Sequence, residues 1–150
     1  IHGWRLGFAT LVFDISKAWI PLNLLGEERK ELLIVICSIS IFLGHLFPVW
    51  LKFKGGKGVA VFIGILFSIS IEYGVLFLLV WLIIFLFFKY SSLSAIISTL
   101  VILITILLKE NNFLSFLILF FTLLILFKHK DNIIRLIKGE EIKIEIKSKK

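Results

Sequence analysis

The chain has 150 residues, a formal charge of +7 and a 59% share of hydrophobic residues. That share exceeds the ~45–50% of ordinary globular chains, and a soluble domain of this size could not bury so many Ile, Leu and Phe side chains. Lipid can hold them, and a basic excess interleaved with apolar runs fits the positive-inside rule better than nucleic-acid binding.

Six apolar runs follow one another, at about 6–25, 32–51, 59–71, 73–88, 93–108 and 113–127. Each predicts a transmembrane helix, and together they predict an all-α, polytopic helical bundle of about six spans. A span needs about 20 apolar residues. Only the first two runs reach that length, and the third is the weakest, a half-span or a re-entrant piece.

The connections alternate in charge. Arg5, then Lys52, Lys54 and Lys57, then Lys89, then the tail 128–150 sum to +9. The segment 27–31, Glu72, and the Lys109–Glu110 pair sum to −2. Six spans put all the basic connections on one side, which the orientation rule makes cytoplasmic. Residues 1–150 then form one membrane-embedded domain, with 128–150 as a cytoplasmic C-terminal tail. The alternating stretch Glu141–Lys147 has the period of a strand; it fits a surface segment, a short strand or a frayed end.

In the first run, Asp14 and Lys17 stand three residues apart. They read as an intramembrane ion pair or as one polar wall of a cavity. The densest polar stretch is Gly44-His45-Leu46-Phe47-Pro48 followed by Phe53-Lys54-Gly55-Gly56-Lys57-Gly58-Val59-Ala60. Glycines let backbone N–H groups approach an anion, and the turn feeds the N-terminus of the next helix, where unpaired N–H groups and the dipole favour negative charge. Lys54 and Lys57 add charge to this candidate phosphate cradle. It is not a P-loop, because Gly58 stands where Ser or Thr is required. His45 near the span end reads as a buried histidine bonded to a neighbour.

Lys89-Tyr90-Ser91-Ser92-Leu93 is a polar joint whose serines can cap the fifth helix. Beyond the sixth run, His129, Asn132 and Arg135 share a face if the segment is helical. That row suits either a substrate or the anionic heads of lipids. Cys37 is a packed thiol inside an apolar run. No spacing of His, Cys or carboxylates suggests a metal, and no cofactor is expected.

The two basic stretches resemble the bacterial integral-membrane acyl-phosphate:glycerol-3-phosphate acyltransferases. The motif G-H-x-F-P…F-K-G-G-K-G-V-A is carried by residues 44–48 and 53–60. The motif H-x-x-N-I-x-R-L-x-x-G-x-E is carried by His129, Asn132, Ile133, Arg135, Leu136, Gly139 and Glu141. An early D-x-x-K-G-x-x-P motif is echoed by Asp14, Lys17 and Pro21, with Ala18 in place of glycine. In the polar joint Ser91 replaces the usual valine. Soluble-type acyltransferases carry H-x-x-x-x-D, and the fifth residues after the three histidines here are Gly7, Trp50 and Ile134.

The resemblance implies transfer of an acyl chain from acyl phosphate to the 1-hydroxyl of glycerol 3-phosphate. The products would be lysophosphatidic acid and phosphate, in phospholipid synthesis at the bacterial inner membrane. It implies a monomer whose partners are those two substrates and membrane lipid. Charge and resemblance together give His129, Asn132 and Lys57 as catalytic residues. They give Gly55, Gly56, Gly58, Lys54, His45, Arg135, Ser92 and Glu141 as substrate-binding residues. Family members have seven spans and an earlier Ser/Gly/Asn-rich loop. The chain starts at Ile1, contains no methionine, and shows nothing like that loop before Gly3, so it reads as N-terminally incomplete. A small phosphate or anion transporter, and an inactive remnant of such an acyltransferase, are the alternatives.

Overall fold

The computed structural model describes residues 4–25, 31–109 and 113–144. Each apolar run becomes one helix: α1 (Trp4–Leu24), α2 (Glu31–Leu46), α3 (Val59–Ile69), α4 (Ile71–Phe88), α5 (Ser91–Lys109) and α6 (Phe113–Lys128). A seventh helix, α7 (Lys130–Lys138), lies in the segment expected to be tail. The described residues contain no strand, and 141–144 of the alternating stretch are among them. Residues 145–147 of that stretch, the acidic connection 27–30 and Glu110 lie outside the described residues.

By length and composition, the helices differ in how readily each would cross a bilayer alone. Three segments are long and apolar enough: Glu31–Leu51, Ile71–Phe88 and Ser91–Lys109. The pair α6 and α7 qualifies only jointly, bent by 59°. Among the described residues α1 and α3 do not meet that measure, for local reasons. α1 is 21 residues long but carries Asp14 and Lys17 in its middle. α3 has 11 residues, about 16 Å of helix against a hydrocarbon core of about 30 Å.

The chain forms two compact units, residues 1–75 and 76–150. In the first, α3 is the centre. Val61, Phe62, Ile63, Gly64, Ile65 and Leu66 are all buried, as expected of a helix that is apolar all round. It packs chiefly against α1 and also against α2. The α1–α3 crossing is close because small residues meet there. A Cβ on Gly64 would strike the Ile15 carbonyl oxygen and come within 3.0 Å of the Ala18 Cβ. Position 18, where the resemblance expects glycine, therefore faces another small residue, and its alanine is fully buried.

In the second unit α5 packs against α6. The buried face of α5 holds Ser92, Ser94, Ala95, Ser98 and Thr99, then Ile102 and Ile106. The buried hydroxyls of Ser94, Ser98 and Thr99 donate to the carbonyls of Tyr90, Ser94 and Ala95, four residues earlier. Small side chains bring the helices together, and each hydroxyl finds its acceptor inside its own helix or at its start.

Candidate active site

The glycine-rich turn is built against the end of α2. Pro48 stops that helix, and a short 3-10 turn (Val49–Leu51) follows. Lys52 and Phe53 then take left-handed conformations, with φ of 51° and 63°. The Phe53 N–H donates to the Pro48 carbonyl, and the Gly55 N–H donates to the Leu46 carbonyl. The chain is thus folded back on α2 before α3 begins.

Each glycine of the turn has a separate steric cause. A Cβ on Gly55 would run into the carbonyl oxygens of His45 and Leu46. One on Gly56 would strike Nε2 of the His45 imidazole. Gly58 has a φ of 85° and would meet Phe42 Cζ at 2.7 Å and Leu46 Cδ1 at 2.8 Å. The missing side chains are required by the protein's own packing. The same packing leaves Lys54 and Lys57 exposed and places Gly58 at the N-cap of α3.

His45 is where the first apolar run meets this turn. The Lys17 ammonium lies 2.6 Å from Asp14 Oδ1 and 2.7 Å from His45 Nδ1. Asp14 Oδ1 is 3.7 Å from the same ring nitrogen. The expected ion pair is therefore present, and a histidine 28 residues away from Lys17 joins it. Each charge alone would cost ~2.5–3.5 kcal/mol at a span centre on an insertion scale. Pairing lowers that cost.

The second cluster belongs to the C-terminal unit. His129 sits at the break between α6 and α7 and is only 2% exposed. It takes the N-cap position of α7, three residues before Asn132 and six before Arg135, and its carbonyl accepts from the Ile133 N–H. Its Nδ1 is 2.8 Å from the Ile125 carbonyl oxygen. A carbonyl only accepts, so Nδ1 carries a proton, and in the neutral form of the ring the lone pair is on Nε2.

Gly139 ends α7 with a φ of 72°, and the Glu140 N–H donates to the Arg135 carbonyl. This reversal is a Schellman-type cap. It returns Glu141 onto the helix just completed. Glu141 Oε1 accepts from the Ser92 hydroxyl at 2.5 Å and from the Asn132 amide at 2.6 Å. Oε2 accepts from Arg135 Nε at 2.7 Å. Ser92, in the first turn of α5, is thus tied to Glu141 and does not cap its own helix. The Ile144 N–H donates to the Lys89 carbonyl and fixes the returning segment beside the polar joint. The Glu141 side chain is 9% exposed. Burial raises its carboxyl pKa, but the hydrogen bonds from Ser92, Asn132 and Arg135, with the charge of Arg135, outweigh it and bring the pKa from 4.5 to about 2.

The structure therefore gathers His45, Gly55, Gly56, Lys57 and Gly58 in one unit, with Lys54 beside them. It gathers Ser92, Asn132, Arg135 and Glu141 in the other, with His129 at the head of α7. Sequence reasoning left two connections unmade, Lys17 to His45 and Ser92 to Glu141; the early D-x-x-K motif was the only local signal for the first. Among the described residues no group of three or more His, Cys, Asp or Glu side chains could hold a metal ion.

These features define an all-helical integral membrane protein with a basic glycine turn and a histidine-led polar cluster. The chain belongs to the glycerol-3-phosphate acyltransferase family, whose sequence profile matches residues 1–139. It is 46% identical over 142 residues to the glycerol-3-phosphate acyltransferase of Pelagibacter ubique (strain HTCC1062), covering 94% of this chain and 73% of that protein. The Rhizobium etli (strain CIAT 652) enzyme is 43% identical over 147 residues, covering 95% and 69%. Among solved structures, the integral membrane glycerol 3-phosphate acyltransferase PlsY is similar in two forms. The glycerol 3-phosphate form gives a TM-score of 0.89 at 30% identity, covering 96% of this chain and 74% of that one. The lysophosphatidic acid form gives 0.87 at 30% identity, covering 94% and 74%. Family membership sets the transporter alternative aside.

Proposed function

We propose that this protein transfers an acyl group from acyl phosphate to the 1-hydroxyl of glycerol 3-phosphate. The attacking oxygen bonds to the acyl carbon. The bond from that carbon to the bridging phosphate oxygen breaks, and phosphate leaves with the electron pair. An acyl phosphate is already activated, so no protein nucleophile is needed. What the protein must supply is positioning and charge.

The observation that carries the proposal is the hydrogen bond from His129 Nδ1 to the Ile125 carbonyl. It leaves Nε2 as the basic nitrogen of a nearly buried imidazole, suited to take the proton of an attacking hydroxyl and pass it to the departing phosphate. Asn132 orients the glycerol phosphate. Arg135 commits Nε to Glu141, and a guanidinium carries four more N–H donors on its two Nη nitrogens for phosphate oxygens. In the N-terminal unit, the Gly55–Gly58 backbone, the first turn of α3, Lys54 and Lys57 hold a substrate phosphate, with His45 bordering them. Glu141 and Ser92 hold the second cluster in shape.

The protein works as a monomer in the bacterial inner membrane, with its basic connections and C-terminus on the cytoplasmic side where both substrates are dissolved or displayed. The donor is tested by supplying the reconstituted protein with equal concentrations of acyl phosphate and acyl thioester. Product is expected from acyl phosphate alone. Equal or faster transfer from the thioester contradicts the assignment of the donor.

A further inference from the structure

Asp14 and Lys17 lie inside an apolar helix, and the reaction just proposed makes no use of them. Their contacts give them one. Lys17 has only donors to offer, so the His45 Nδ1 at 2.7 Å must accept from it. The neutral imidazole is then held with its proton on Nε2, the opposite tautomer to that of His129. Asp14 Oδ1, 2.6 Å from the Lys17 Nζ, holds that side chain in place. The far edge of the His45 ring rests on Gly56, where a Cβ would strike Nε2 and reach Cε1 at 2.7 Å. Asp14, Lys17 and His45 therefore form a line from the middle of α1 to the backbone of the glycine turn.

We propose that Asp14 and Lys17 are positioning residues that act through His45: they fix its tautomer and ring orientation, and the ring sets the Gly55–Gly58 backbone for binding a substrate phosphate. The inference rests on the proposed role of that turn. Neither residue touches substrate. Their effect is on binding at the turn, so it appears in KM more than in kcat. Gly56 belongs to the same device, because a methyl there pushes the imidazole off Lys17. Variants along the line share one interaction and are non-additive.

The test is steady-state kinetics on the reconstituted protein, with KM read for acyl phosphate and for glycerol 3-phosphate. Lys17→Met is expected to raise one of the two KM values about tenfold, with kcat within about threefold of the parent. Lys17→Arg restores it. The neutral pair Asp14→Asn with Lys17→Gln guards against an uncompensated charge in the span and should give the same KM rise with the protein still inserted. His45→Gln, whose amide nitrogen stands in for the Nε2 donor, should bind better than His45→Asn. Adding Lys17→Met to His45→Asn should cost nothing further. Unchanged KM for both substrates in an inserted neutral-pair variant overturns the proposal, as does full additivity of Lys17→Met with His45→Asn. If the parent protein itself forms no product, the failure lies with the acyltransferase reading. If the parent is active and the neutral pair is kinetically normal, it lies with the relay alone.

Discussion

Lys57→Ala is expected to lower turnover by about 10²–10³-fold while the protein remains inserted and folded, the loss found when one preorganised donor to transition-state charge is removed. The lysine is exposed, one residue before the αL glycine that caps α3. Its charge adds to that of the helix N-terminus, and both act on the same anion. Lys54→Ala removes a charge that also faces the bound phosphate but stands farther from the α3 N-cap, and should cost less than Lys57→Ala, by about tenfold in rate. Steady-state rates of both variants, normalised to inserted protein, check the difference. Lys57→Arg should recover part of the rate, because it restores charge with a different reach and shape. Near-normal turnover of Lys57→Ala would remove the turn from the reaction.

The second large effect is expected at Glu141. Its carboxylate takes three hydrogen bonds from Ser92, Asn132 and Arg135, joining the start of α5 to α7. Hydrogen bonds to charged groups contribute about 1.5–3 kcal/mol each, and removing one partner of a largely buried set costs about 3–5 kcal/mol. Arg135 is 42% exposed and rehydrates when released, so about 3 kcal/mol is the expected loss for Glu141→Ala. Turnover falls with it, because Asn132 loses the acceptor that orients it. Glu141→Gln keeps one carbonyl acceptor but presents an amide to Arg135, and should fall between parent and alanine.

The same carboxylate gives a pH signature. Its folded pKa is lowered from 4.5 to about 2. The stabilisation is therefore complete above the unfolded value and is lost as pH falls through the folded one. Thermal unfolding in detergent should show this contribution intact at about pH 5 and declining toward about pH 2, with Glu141→Gln lacking that component. A parent and a Gln variant that lose stability in parallel would show that Glu141 is not held as described.

The helices were legible because lipid imposes long apolar runs, and each run became one helix. Span capacity was less legible. α3 is short and buried in protein, and α6 ends at Lys128, before the bend at His129. The glycine turn was visible as a pattern, but its cause was not. Gly55, Gly56 and Gly58 are bare chiefly because α2 and His45 press on them, which no local spacing reveals. Asp14 and Lys17 announced themselves at i, i+3, and their third partner needed the fold. The bond from Ser92 to Glu141 was hidden for the same reason, since the two are 49 residues apart. The alternation beginning at Glu141 fitted a surface segment, a short strand or a frayed end. Its first residues follow the reversal at Gly139, one bonded to Lys89, and Ile142 is 82% exposed.

The most direct test of the account is product formation by the reconstituted protein from acyl phosphate and labelled glycerol 3-phosphate. The account predicts labelled lysophosphatidic acid acylated at the 1-position, with phosphate released in equal amount, and loss of both with Lys57→Ala. Inserted, folded protein that forms no labelled lysophosphatidic acid under these conditions would contradict it.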